Sequence, residues 1–212
     1  MESGRRRTVA HLQTLYTVVV GVALAVALTN LIDQQSAVPI RFAALPYFVA
    51  YLFTLVPFYH GALRHLDIAY FETSANSTRP GALMADWSLL FIESCGLLAL
   101  ALLVNRPVPF MFALIALLAF DAVWAFTAHL AFSPRSAVGA AEPRWAKINI
   151  VTVLAFVGVL VYLDSVDAET KPVDLYRWVL VTAVAVGRTI WDYVWCWWYY
   201  YPHETEGEQR GR

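Results

Sequence analysis

The stretch VPFMFALIALLAFDAVWAFTAHLAF, residues 108–132, decides the fold, because it is apolar at nearly every position and long enough to cross a bilayer. About 20 predominantly apolar residues in a helix cover the hydrocarbon core of a membrane. Asp121 lies near the middle of this stretch. An ionised side chain at that depth costs about 3 kcal/mol or more unless it is paired. The sequence therefore predicts a transmembrane helix whose one carboxyl group needs an explanation.

Outward from this stretch, five more apolar segments qualify as spans, and Pro- or Gly-containing breaks separate them. They cover about residues 9–32, 46–66, 84–104, 146–163 and 175–200. The composition agrees, since 59% of the residues are hydrophobic and 15% are charged, against about a quarter charged in soluble domains. We predict an all-α fold, a six-span transmembrane helical bundle forming a single domain over residues 1–202. A charged cytosolic tail, residues 203–212, follows it.

The orientation follows from the distribution of Lys and Arg near the span ends. With the N-terminus in the cytosol, ten of the 15 basic residues fall on the cytosolic side, four fall outside and Arg188 lies within the sixth span. Cytosolic loops are enriched in such residues. The basic segment Met1–Arg7 resembles the start of a signal peptide, but the apolar run continues to Ile32, so we expect a retained first span. The prediction is a multi-pass protein of the inner (plasma) membrane, with both termini cytosolic and the lipid bilayer as its surroundings.

Charged side chains inside these spans fall at similar depths from the cytosolic helix ends, at about 1.5 Å per residue. Asp86 and Glu93 are seven residues apart and share a helix face. Arg188 and Asp192 are four apart and are expected to pair directly. The candidate polar cluster consists of His60, Arg64, Asp67, Asp86, Glu93, Asp121, His129, Arg188 and Asp192.

The charge balance of this cluster leaves two interpretations open. In the first, the residues only pair with one another and act as contacts between helices, which contribute about 0.6 kcal/mol each. In the second, the four deep carboxyl groups outnumber the two nearby arginines, so at least one carries a proton or binds an ion. His60 and His65 are five apart and do not align on a helix. No HxxxH or HExxH motif occurs, so we predict no metal site and no cofactor.

The opposite halves of the spans carry almost no charge, so a single copy offers no polar path between the two faces. A monomeric channel is therefore disfavoured, whereas a pocket open to the cytosol fits, and a homo-oligomeric pore stays open. The net charge of -1 provides no basic surface for direct binding of nucleic acid.

The run PFYHGALRHLD, residues 57–67, resembles a stretch of small multi-spanning accessory proteins from prokaryotic antiviral loci. Those loci encode type VI CRISPR and RNA-editing defence systems. The resemblance covers eleven residues, and no second motif matches. It implies a membrane effector or modulator that acts with a soluble cytosolic partner, and it assigns no catalytic residue.

Three functions are consistent with the residues. The preferred one is a membrane effector or permeation protein, whose polar cluster gates ion or proton flow. The second is an intramembrane enzyme acting on a lipid or isoprenoid, with Glu93 and Asp121 as the catalytic acid and base and Arg188 orienting an anionic headgroup. The third is a non-catalytic interaction module whose polar groups are purely structural.

Overall fold

The computed structural model describes residues 2–32, 39–72, 80–131, 137–165 and 173–201. Within these ranges all the regular secondary structure is helical, which confirms the all-α prediction. One isolated β-bridge joins Ile32 and Ile40. The helices are α1 (Glu2–Leu31), α2 (Leu45–Asp67), α3 (Pro80–Leu103), α4 (Pro107–Ala131), α5 (Ala137–Ser165), α6 (Val173–Trp195) and α7 (Trp197–Tyr200). A 3-10 turn (Phe42–Ala44) precedes α2 and a π-helical turn (Ile68–Glu72) follows it. The predicted tail lies outside the described residues.

The six long helices pack as a ring in the order α1, α3, α4, α5, α6, α2 and back to α1. Polar contacts fix the helix directions. At one end, Gln13 of α1 donates to Asp67 of α2 over 2.8 Å. At the other end, Asn30 of α1 donates to the carbonyl oxygen of Ala101 in α3 over 3.1 Å. The starts of α1 and α3 therefore lie at the end where α2 finishes.

The helices α1 to α5 each contain a segment long and apolar enough to cross a membrane, within the described residues. The protein is thus a membrane protein by helix length and composition. The helix α6 is not among these five. Its buried Arg188 and Asp192 lower its hydropathy, although it packs between α2 and α5 as a full member of the ring.

The fifth helix begins at Ala137, earlier than the predicted span 146–163, so Glu142 and Pro143, which fall in the predicted break before that span, lie inside the helix. A proline within a helix removes one backbone hydrogen bond and usually ends or kinks the helix. Here the two residues before Pro143 pack into the bundle, because Ala141 is 0% exposed and Glu142 is buried against His65. Tertiary packing therefore outweighs the local effect of Pro143.

The sixth helix ends earlier than predicted, at Trp195, and the chain turns at Cys196 into the short helix α7. The aromatic residues after this turn divide between two environments, since Trp197 and Tyr201 are exposed while Tyr199 and Tyr200 are buried. The turn directs Tyr199 and Tyr200 back into the bundle, where they cover one end of the ring.

Candidate functional site

A cavity lies inside the ring at the end where α3 and α5 begin and α2, α4 and α6 finish. The volume of the cavity that the centres of water molecules can occupy is about 60 Å³. This is room for about two to four waters. Five carboxyl groups line its wall, those of Asp86, Glu93, Asp121, Glu142 and Asp192. His65, Arg188 and Tyr200 line it too, together with aromatic and small apolar side chains.

His65 of α2 lies between two of these carboxyl groups. Its Nε2 is 3.4 Å from an oxygen of Asp86 in α3, and its Nδ1 is 3.5 Å from an oxygen of Glu142 in α5. All three side chains are buried. Asp86 also accepts a hydrogen bond of 2.5 Å from the hydroxyl of Tyr70. His65 thus joins three helices and provides a basic partner for two acids.

Asp192 of α6 is held by aromatic donors. The indole nitrogen of Trp145 donates to it over 3.1 Å, and the hydroxyl of Tyr200 lies 3.3 and 3.1 Å from its two oxygens. Arg188 and Asp192 are both described residues, and no guanidinium nitrogen of Arg188 lies within 4.0 Å of a carboxyl oxygen of Asp192. The predicted direct pair of Arg188 and Asp192 is therefore absent, because each side chain has a nearer partner on another element.

Arg188 and Asp121 are joined through an amide. Asn149 of α5 accepts a hydrogen bond of 3.1 Å from Nη2 of Arg188 and donates one from Nδ2 to Oδ2 of Asp121. The guanidinium carbon also lies 5.2 Å from the centre of the Phe58 ring, a cation–π geometry. Its Nε and Nη1 atoms are buried and have no hydrogen-bond acceptor among the described residues.

Glu93 of α3 forms a hydrogen bond with the first helix, α1. The hydroxyl of Tyr16 in α1 donates to Oε1 of Glu93 over 2.5 Å, and Glu93 is 5% exposed. The ring of Tyr16 is stacked on that of Tyr59, with centroids 5.9 Å apart. The first helix therefore contributes to the polar network even though it forms no part of the cavity wall.

Five of the nine residues of the predicted cluster line this cavity, and four lie elsewhere. His60 contacts the Tyr193 hydroxyl at 3.1 Å, and its ring lies 4.7 Å from that of Tyr200. Arg64 donates to the carbonyl oxygen of Tyr199 over 3.0 Å. The other two are Asp67, which accepts from Gln13, and His129, which is half-buried near the end of α4.

Several contacts of the candidate site were not predicted from the sequence. His65 was set aside because it does not align with His60, yet it is the histidine between two acids. Glu142 fell in the predicted break between the fourth and fifth spans, where Pro143 follows it. Tyr16 and Tyr200 carry no charge, and only the general need of buried carboxyl groups for donors could have indicated them.

The geometry defines a helical membrane protein with an acidic cavity at one end that has room for a few water molecules. Among the described residues, no three His, Cys, Asp or Glu side chains are placed to hold one metal ion. Comparison of the chain with protein-family models, with curated proteins and with solved structures finds no match. The function therefore has to be argued from the cavity itself.

Proposed function

We propose that this protein is a multi-pass membrane effector or permeation protein, with six spans and both termini in the cytosol. Its cavity takes up a small ion or a proton from the cytosolic face. One observation carries the proposal: five carboxyl groups from four helices surround one cavity with room for water. Ionisable groups within membrane spans typically mark ion pathways and proton relays.

The half of the ring opposite the cavity favours an ion pathway that runs between copies of the protein over one that runs through a single copy. Among the described residues, the side chains buried there carry no charge and most are apolar, as with Leu97, Leu100 and Leu114, which are 0% exposed. Between them an ion would lose its hydration without replacement ligands. A homo-oligomer would place the cavity ends of several copies around a shared path.

Ion flux through liposomes that contain the purified protein tests this function. We expect cation or proton flux in the wild type, and loss of most of it in the variant Glu93→Gln/Asp121→Asn. Asp164→Asn is the matched control, because Asp164 is exposed at the far end of α5. Absence of flux across a wide pH range, at protein densities that permit oligomers, would refute the proposal.

The orientation needs its own measurement. A reporter fused after Arg212 that is active only in the cytosol should be active in cells. Activity at this position of a reporter that requires export would contradict the proposed cytosolic location of the C-terminus.

A second function, an intramembrane enzyme acting on a lipid, is favoured by one specific contact set. Arg188 has two nitrogens without an acceptor in the same cavity wall as Glu93 and Asp121, so an anionic headgroup and an acid–base pair would meet there. Turnover of labelled membrane lipids by the purified protein, lost in the Glu93→Gln and Asp121→Asn variants, would support it over permeation.

A further inference from the structure

The carboxyl groups of the cavity are not equivalent, because three have a basic partner or two hydrogen-bond donors, whereas the other two have one neutral donor each. Asp86 and Glu142 lie on either side of His65, and Asp192 receives hydrogen bonds from two aromatic side chains. Glu93 and Asp121 each accept one hydrogen bond, on one oxygen only, from a neutral group. Neither has a cationic nitrogen within 4.0 Å among the described residues. Each therefore has one carboxyl oxygen that is available to another partner.

Arg188 supplies the complementary feature. Arg188 is one of the residues that line the cavity, and its Nε and Nη1 atoms are buried and have no acceptor in the described part of the chain. Buried N–H groups are almost always satisfied by protein or by ordered water. The cavity has room for about two to four water molecules, enough to link the guanidinium group to the available oxygens of Glu93 and Asp121.

We propose that the cavity is a proton-exchange site, in which Glu93 and Asp121 carry the proton and water held by Arg188 connects them. In the uptake step, hydronium from the accessible face transfers one proton to a carboxylate oxygen, which leaves one water molecule and a neutral carboxylic acid. Release is the reverse step. The assignment deepens the proposed function. It rests on that function in one respect only, which is that it identifies the proton as the ion that the protein moves.

The ligand set distinguishes a proton from a metal cation. Calcium takes six to eight oxygen ligands, whereas the pair offers only two oxygens that accept no hydrogen bond, since the other two accept from Tyr16 and Asn149. The guanidinium group would also repel a fixed metal ion. A proton needs only one oxygen and a hydrogen-bonded water.

The exchange takes place among titratable and charged groups from every element around the pair. These are Tyr16 from α1, His65 from α2, Asp86 from α3, Glu142 from α5, Arg188 and Asp192 from α6, and Tyr200 beside them in α7. A titration of the whole site is therefore composite, and single substitutions are needed to assign it.

Infrared difference spectroscopy of the protein in nanodiscs after a pH jump tests the assignment, because a protonated carboxyl group has its own carbonyl stretch. We expect part of this band to disappear in Glu93→Gln, part in Asp121→Asn, and nearly all of it in the double variant. Glu93→Asp should keep a band at a shifted frequency, which shows that the site still forms. Asp164→Asn should leave the spectrum unchanged.

Cation competition gives the second readout. At constant ionic strength, replacing a bulky organic cation with sodium, potassium or magnesium should leave the pH midpoint of the band unchanged. A midpoint that moves with the concentration of one of these cations would overturn the proton assignment, as would a band that survives the double variant. If the carboxyl band is intact but the protein conducts no ions, the proton-exchange assignment stands and only the proposed permeation function is contradicted.

Discussion

Replacement of Asn149 by leucine removes the amide that joins Asp121 to Arg188, at nearly constant side-chain volume. Two hydrogen bonds are lost. Bonds to charged groups contribute about 1.5–3 kcal/mol each in soluble proteins, whereas polar contacts between membrane helices average about 0.6 and reach about 1.7 kcal/mol. Because Asn149 is 1% exposed and bridges two ionisable groups, the upper membrane value applies to each bond. The expected loss is about 3 kcal/mol, roughly a hundredfold in the unfolding constant.

Thr152→Val is the matched control, one turn further along the same helix. Thr152 is 3% exposed, but its hydroxyl donates within its own helix, to the carbonyl oxygen of Ile148 over 2.7 Å. Its loss should cost about 1 kcal/mol or less. Reversible unfolding by SDS in mixed micelles, followed by tryptophan fluorescence, measures both variants. If the two unfolding free energies agree within about 0.5 kcal/mol, the amide bridge does not hold the site together.

Two further substitutions test other contacts. His65→Leu should cost about 3–5 kcal/mol, because it leaves two buried carboxyl groups without their basic partner; an unchanged SDS titration would show that this three-helix contact does not form. Gly96→Ala should lower stability by about 1–3 kcal/mol, because its Cβ would lie 2.8 Å from Cδ1 of Leu117. Gly158→Ala meets nothing within 4 Å and should be neutral or stabilising by up to about 1 kcal/mol; a melting temperature that falls equally in both glycine variants would contradict this packing.

The helices could be predicted because apolar length is a local property of the sequence. The fourth span was predicted at 108–132 and the helix runs over Pro107–Ala131. The departures come from tertiary contacts that local patterns do not contain. Pro143 is a strong local signal for a break, yet burial of the preceding turn keeps the helix intact. The turn at Cys196 likewise forms because Tyr199 and Tyr200 find buried positions against other helices.

The convergence of Asp121 and Arg188 on one cavity follows from helix depth, which the sequence supplies. The link between them through Asn149 could not be predicted. The four-residue spacing along α6 favoured Asp192 as the partner of Arg188 over an amide on a different helix. Partner choice among buried polar groups depends on the angle between helices and on which oxygen faces which donor. His65 shows the same limit, since its two acids come from helices whose relative rotation no spacing reveals.

Accessibility of the cavity from one face of the membrane is tested most directly by a cysteine at Ala62, a small, half-buried residue of the wall. The native Cys95 and Cys196 are first replaced by alanine, and vesicles of known orientation are treated with a membrane-impermeant maleimide. Labelling of Ala62→Cys should occur from the cytosolic side alone, whereas Ala99→Cys, exposed on the apolar part of α3, should react from neither side. Labelling of Ala62→Cys from the outer side, or from neither side in folded protein, would contradict a cavity that exchanges with the cytosol.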